Sequence, residues 1–265
     1  MKIIVCIKQV PNTNEVRLDP ETGTLIRDGI PSIINPDDLA GIEAALKIKD
    51  QLGADNVHIT VMTMGPAQAD VALREALAMG CDEAYLISDR LFAGADTWAT
   101  SSTLAGAIKL KGYDLIITGR QAIDGDTAQV GPQIAEHLDI PVISYAEDIK
   151  VGDGHIVVKR QYEDRYQMIR AKFPVLITAL SDLNKPRYMS VSGVVNSYDK
   201  KEVQHLAYKD IEDLVAKENI GLKGSPTKVK KSFTKPVKGK GTLHQVSEDE
   251  AVEIIVSKLK ENHII

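Results

Sequence analysis

The sequence predicts an α/β fold: a doubly wound, mostly parallel sheet with an antiparallel edge and an extended C-terminal arm ending in a helix. Three observations carry that reading. Apolar runs of strand length alternate with longer segments of helical period, the pattern of repeated βα units. The 265 residues are 43% hydrophobic but only 5% aromatic, with one Trp, which leaves the interior to Ile, Val, Leu and Ala, the side chains that fill parallel sheets and their covering helices. The strand-like runs also end in helix-opening signals, where crossovers must begin.

The first strand is KIIVCIKQV (2–10), apolar enough to be buried on both faces. After it, VRLDPETGTLIRDG (16–29) alternates β-formers around Pro20-Glu21-Thr22-Gly23, which favours a hairpin inserted into the α/β pattern. Asn35, Pro36, Asp37 and Asp38 open a helix, with a capping side chain, a proline where no N–H is needed and carboxylates at the positive dipole end. That helix runs to about Gly53. The strand VHITVMTM (57–64) passes through Gly65-Pro66 into a helix with Ala69, Ala72, Leu73, Ala76 and Leu77 on one face, stopped by Gly80. A strand at 83–88, a helix at about 97–111, the strand YDLIITG (113–119) and a helix ending near Leu138 repeat the scheme, and the strand after Pro141 continues the sheet.

From about 147 the pattern turns antiparallel. DIKVGDGHIVVKRQY has a Gly-Asp-Gly turn between alternating runs, and YQMIRAK precedes PVLITAL (174–180). Beyond 205 the strand and helix signals fade, which divides the chain into an α/β domain, 1–205, and a C-terminal arm, 206–265. Residues 217–240 hold eight lysines against one glutamate, the composition of a solvated arm. Ser247-Glu248-Asp249-Glu250 then forms a capping box, and Val252, Ile255, Val256 and Leu259 make an apolar stripe.

The net charge of −5 argues against sequence-independent binding of nucleic acid, which draws its affinity from many cations displacing counterions. No stretch approaches the roughly 18 to 20 apolar residues of a membrane span, and Lys8 interrupts the opening run too early for a signal-peptide core. A cytoplasmic location is expected. Cys6 and Cys81 are far apart, without CxxC or His spacing, so neither a disulfide framework nor a metal site is expected.

The most informative segment is Gly119-Arg120-Gln121-Ala122-Ile123-Asp124-Gly125-Asp126-Thr127-Ala128-Gln129-Val130-Gly131-Pro132. It lies at the carboxyl end of a buried strand, where open α/β sheets bind ligands, and leads into a helix N-terminus whose free N–H groups can hold an anion. Gly125 lets the backbone approach a ligand, Thr127 adds a hydroxyl, and Arg120 is the nearby fixed cation. Two aspartates repel phosphate, so the grip must come from main-chain N–H groups, with the acids turned toward hydroxyls or the helix cap. A plain polar βα loop is the alternative. A nucleotide-hydrolysing enzyme would need GxxxxGK[ST], which is absent, and there is no GxGxxG for nicotinamide binding.

This segment, with the opening VCIKQVP, the helix start INPDDLAGIEAAL, the unit MGPAQADVALREALAMG and LNKPRY (183–188), resembles the beta subunits of electron transfer flavoproteins along nearly the whole chain. The resemblance implies a heterodimer with an alpha subunit that carries FAD. It also implies an adenine nucleotide on this chain, either a structural AMP or, in the electron-bifurcating type, a redox-active FAD. DGDTAQVGP, with Gly125 and Thr127, is similar to the FAD-holding type. The implied function is acceptance of a hydride from NADH, with one electron passed to the alpha-subunit FAD and an acyl-CoA dehydrogenase and the other to ferredoxin or flavodoxin. No side-chain acid or base is required. The contacts that the resemblance implies are Cys6, Asn35 to Asp38, Met64 and residues 119–130. From the residues alone, Cys6 and Met64 read as core positions, and Asn35, Pro36 and Asp38 as helix-start residues. LNKPRYMSVSGVVNSYDK (183–200) is similar to the family's recognition loop, with Val191, Val194 and Val195 as candidates to dock the partner dehydrogenase; a buried edge strand is the alternative. The arm is implied to reach around the alpha subunit.

Overall fold

The structure, a computed structural model, describes residues 1–12, 17–18, 25–26, 31–228, 239 and 241–265. In chain order the elements are β1 (Lys2–Cys6), β2 (Gln9–Pro11), β3 (Arg17–Leu18), β4 (Leu25–Ile26), β5 (Ser32–Ile34), α1 (Pro36–Leu52), β6 (His58–Met64), α2 (Asp70–Met79) and β7 (Glu83–Ile87). Then come α3 (Thr97–Lys111), β8 (Leu115–Gly119), α4 (Val130–Leu138), β9 (Val142–Gly152), β10 (His155–Gln161), β11 (Tyr166–Lys172) and β12 (Val175–Ala179). The chain continues through α5 (Val191–Asp199), β13 (Val203–Leu206), α6 (Gly221–Gly224) and α7 (Glu248–Glu261).

The main sheet has nine strands in the order β11-β10-β9-β12-β8-β1-β6-β7-β13. From β9 to β13 every pairing is parallel, and β10 and β11 add the antiparallel edge. Parallel strands covered on both faces must be apolar throughout, and the sequence supplies this: Ile3 and Val5 turn to one side of β1, Ile4 and Cys6 to the other. The first side meets α1 and α2 through Ile42, Leu46, Leu73 and Leu77. The second meets α3 and α4 through Leu104, Ile108 and Ile134. Each such side chain, fully buried, contributes roughly 1.5–3 kcal/mol before conformational entropy is counted. The chain leaves β1 toward β6 on one side, whereas β8 lies on the other, so the order reverses between β1 and β8. A crevice outside the carboxyl ends of these two strands is where such sheets receive ligands.

The chain divides into two compact units, Met1–Arg17 with Ile26–Val229 and Leu18–Leu25 with Lys230–Ile265. The boundary read at 205 falls inside the first of these units. Ile211, Val215 and Ile220 are buried in the second hydrophobic cluster, β13 extends the sheet beside β7, and the Tyr208 N–H donates to Asp89 at 3.0 Å. The stretch 191–199 is a helix and neither a loop nor an edge strand. Ser190 caps it by accepting the Gly193 N–H at 2.9 Å, and Arg74 on α2 donates to the Ser197 carbonyl at 2.6 Å. Of the hairpin expected over 16–29, β3 and β4 form a two-stranded sheet, and its turn lies outside the described residues. So does part of the lysine-rich stretch, 229–238 and 240.

In the second unit, α7 opens with the expected capping box: Ser247 Oγ accepts the Glu250 N–H, and Glu250 Oε2 accepts the Ser247 N–H at 3.1 Å. Glu248, Asp249 and Glu250 occupy its first turn and Lys258 and Lys260 its last, as the helix dipole favours. No residue of α7 is buried. Among the described residues, no helix is long and apolar enough to cross a membrane.

Candidate functional site

The start of α1 brackets the carboxyl ends of three strands. Asn35 is fully buried, yet its side chain makes no cap bond to its own helix, contrary to the capping role read from the sequence. Its amide reaches the loop after β8 instead: Nδ2 donates to the Gln121 carbonyl at 2.8 Å, and Oδ1 accepts the Ile123 N–H at 3.1 Å. Sequence-distant backbone groups win because they are partly buried, and leaving them unpaired costs more than leaving a cap unmade. Asp38 does the same with its carboxylate, accepting the Lys8 N–H at 2.7 Å and the Gly119 N–H at 2.9 Å. Asp37 accepts the Ser181 N–H, just past β12, at 2.9 Å, and its other oxygen lies 3.4 Å from Arg120 Nε. Pro36 stands at the first helical position, where its missing N–H is no loss.

Close approach makes this bracket possible. A Cβ on Gly119 would overlap Asp38 Oδ1 and come within 2.9 Å of the Asp37 Cβ. One on Gly131 would press on Thr118 Oγ1 and on Thr178 Cγ2, at 2.5 and 2.9 Å, so α4 sits directly on β8 and β12. Burial pushes the Asp38 carboxyl up to about 7 against the pull of its N–H donors, and burial with the nearby Asp38 pushes the Cys6 thiol up to about 12. Cys6 therefore stays a protonated core thiol. Met64, half-buried, packs at the rim of the same cluster, as does Val130.

Past Ile123 the loop changes character. Asp124, Gly125, Asp126, Thr127 and Gln129 are exposed. Gly125 and Asp126 bond locally, both N–H groups donating to the Ala122 carbonyl. Asp126 and Ala128 hold left-handed backbone, with φ of 50° and 51°. The N–H groups of Thr127, Ala128 and Gln129 and the Thr127 hydroxyl have no acceptor among the described residues, and the first N–H groups of α4 have none within the helix. Gly125 is not needed for its own conformation, and a Cβ there would meet nothing within 4 Å. The result is a run of main-chain donors without an acceptor among the described residues, next to the uncrowded Gly125 and at the positive end of a helix.

Both loop acids are occupied within the chain. Asp126 accepts from Gln121 Nε2 at 2.9 Å, and Asp124 is gripped by Lys8 Nζ at 2.7 Å to each oxygen. Neither turns to a helix cap. Lys8 is thus a second cation beside Arg120, whose charge is already committed to Asp37.

A family model described as the electron transfer flavoprotein domain matches residues 22–216. The chain is 56% identical over 265 residues to an electron transfer flavoprotein subunit beta of Clostridium acetobutylicum, with both chains covered completely. This chain belongs to the electron transfer flavoprotein family, as a beta subunit. It is also 54% identical over 268 residues to CarD, a subunit of the caffeyl-CoA reductase-Etf complex of Acetobacterium woodii, and 49% identical over 272 residues to the acryloyl-CoA reductase electron transfer subunit gamma of Anaerotignum propionicum, again along the full length of each.

In this beta subunit the fold gathers Cys6, Met64, Asn35 to Asp38 and residues 119–130 around the ends of β1, β6 and β8. Asn35, Asp38 and Gly119 spend their polar groups on backbone and on one another, whereas the N–H groups of Thr127, Ala128 and Gln129 have no acceptor among the described residues. Sequence reasoning missed Lys8 and Ser181. A lysine ending an otherwise apolar strand run was the available signal for Lys8; nothing local marks Ser181. Val191, Val194 and Val195 lie apart from this site, all exposed on α5. The segment before α5 is tied to α1: Arg187 pairs with the buried Glu43 through Nε at 2.9 Å and Nη2 at 3.0 Å, and with Asp50 at 2.7 Å, while Lys47 donates to Asn184.

Proposed function

We propose that this chain is the beta subunit of a heterodimeric, electron-bifurcating electron transfer flavoprotein and holds an FAD of its own beside the alpha subunit's. The observation that carries the reading is the open half of the loop after β8. A diphosphate asks for several convergent donors and for room, and Thr127, Ala128, Gln129 and the start of α4 offer the donors while Gly125 leaves the room. The acids that would repel it are occupied by Lys8 and Gln121. Residues present therefore fit the group.

FAD bound there would supply hydride and single-electron chemistry, which is what a place between NADH, the alpha-subunit FAD with an acyl-CoA dehydrogenase, and ferredoxin or flavodoxin would call for. The chain's own residues bind and orient. Main-chain N–H groups of 127–130 would hold phosphate oxygens, the Thr127 hydroxyl would add a donor, and the α1 bracket fixes the chain next to them. Cys6 and Met64 offer an apolar rim to the rest of the nucleotide. The exposed Val191, Val194 and Val195 give α5 an apolar surface for the acyl-CoA dehydrogenase; a partner of that class is supported by relatives named for a caffeyl-CoA reductase-Etf complex and for an acryloyl-CoA reductase.

Flavin stoichiometry tests the proposal. Acid extraction and chromatography of the heterodimer, purified with its alpha subunit, should release two FAD per complex. One FAD and one AMP would place the chain among beta subunits whose nucleotide is structural.

A further inference from the structure

The nucleotide-receiving half of the loop is attached to the rest of the fold at few points. Ile123 is pinned by Asn35 at its near end, and Gln129 Oε1 accepts from Thr97 Oγ1 on α3 at 2.8 Å at its far end. Between them, among the described residues, the bonds of Gly125 and Asp126 stay within the loop, and the one tie to another element is Asp124 to Lys8. That tie crosses the point where the strand order reverses, from the end of β1 to the loop of β8. Both of its ends are preset. The Lys8 N–H is held by Asp38 and the Lys8 carbonyl accepts the Asn35 N–H at 2.9 Å, while Asp124 follows directly on the pinned Ile123.

We infer that the Lys8–Asp124 pair is a positioning element that holds residues 124–129 in their nucleotide-receiving geometry, with Lys8 acting through Asp124 and not on the ligand. The ammonium sits 2.7 Å from both carboxylate oxygens, so its charge is already engaged. Both side chains are partly exposed, 50% and 32%, and an exposed pair adds at most about 1 kcal/mol to global stability. Its effect is local: it sets the place of the loop and leaves the fold as it is. The inference deepens the nucleotide reading above and rests on it.

Four forms of the heterodimer test it: parent, Lys8→Ala, Asp124→Ala, and the exchanged pair Lys8→Asp with Asp124→Lys. Release of the nucleotide from this subunit, whether FAD or AMP, is followed after dilution. Each single variant should release it about fivefold faster, the factor that corresponds to ~1 kcal/mol, and the exchanged pair should return to within about twofold of the parent. Loss in Lys8→Ala combined with retention in Asp124→Ala and no rescue by exchange would make Lys8 a direct phosphate ligand and overturn the inference. Unchanged release in both single variants would overturn it as well. Hydrogen exchange at Ile123, Gly125 and Asp126 in nucleotide-stripped heterodimer reads the pair without any ligand, and should quicken in the single variants and recover on exchange. A parent complex devoid of nucleotide would sink the flavin reading, while the exchange rates would still decide the pair.

Discussion

The two halves of the loop after β8 follow opposite plans. Residues 119–123 are tied at Gly119, Arg120, Gln121 and Ile123 to Asp38, Ala179 and Asn35. Residues 124–129 are exposed in the main, two of them hold left-handed backbone, and their later N–H groups have no acceptor among the described residues. A site that grips with main-chain amides needs both. Donors must be left free for the ligand, and free donors hold a useful geometry only when the chain next to them is fixed.

The contrast can be broken at its fixed half first. Gly119→Val puts side-chain atoms where Asp38 and Asp37 stand, and overpacking of this kind costs about 3 kcal/mol; thermal denaturation of the complex should show the loss, with nucleotide content falling alongside. Asn35→Ala leaves the Gln121 carbonyl and the Ile123 N–H unpaired, worth about 2 kcal/mol, and should reduce both stability and bound nucleotide, the alpha-subunit flavin being spared. A pH series sharpens the same half. Folded Asp38 keeps its proton up to about 7, whereas the free carboxyl loses it near 3.8, so between those values the native state binds more protons than the unfolded one. Stability from this group is therefore highest at low pH and declines as pH rises from about 4 to about 7. Urea midpoints should trace that decline in the parent, and Asp38→Asn should remove this component of it. At the open half the outcome reverses. Gly125→Asp with Thr127→Ala should leave the denaturation midpoint within about 0.5 kcal/mol of the parent while lowering flavin at this subunit alone; equal loss at both flavins would speak against the assigned loop.

Much of this architecture was legible because strands buried on both faces write themselves as apolar runs, and Gly53, Gly80 and Pro36 punctuate the helices between them. What was not legible has physical causes. α5 is nine residues of Val, Ser, Gly, Asn, Tyr and Asp, weak helix formers whose helix depends on the Ser190 cap and on Arg74 of α2. β13 is four residues at a sheet edge with one buried side chain, Val203, too short for an alternation to register. Ile211, Val215 and Ile220 join the core from turns, where no period announces them. The loop follows a buried strand and precedes a helix as read, but the use of Asn35 and Asp38 depends on partners more than 80 residues away, and hydrogen bonds of that span leave no local trace.

Helix α1 carries two anchorages in fixed phase, the loop bracket at its first turn and the Glu43, Lys47 and Asp50 grip on the segment before α5. Each added residue rotates everything after it by about 100°. A single insertion between Asp38 and Glu43 would thus preserve the helix yet point one anchorage away from its target, so the length of α1, more than its composition, keeps the loop after β8 and the exposed valine surface in register.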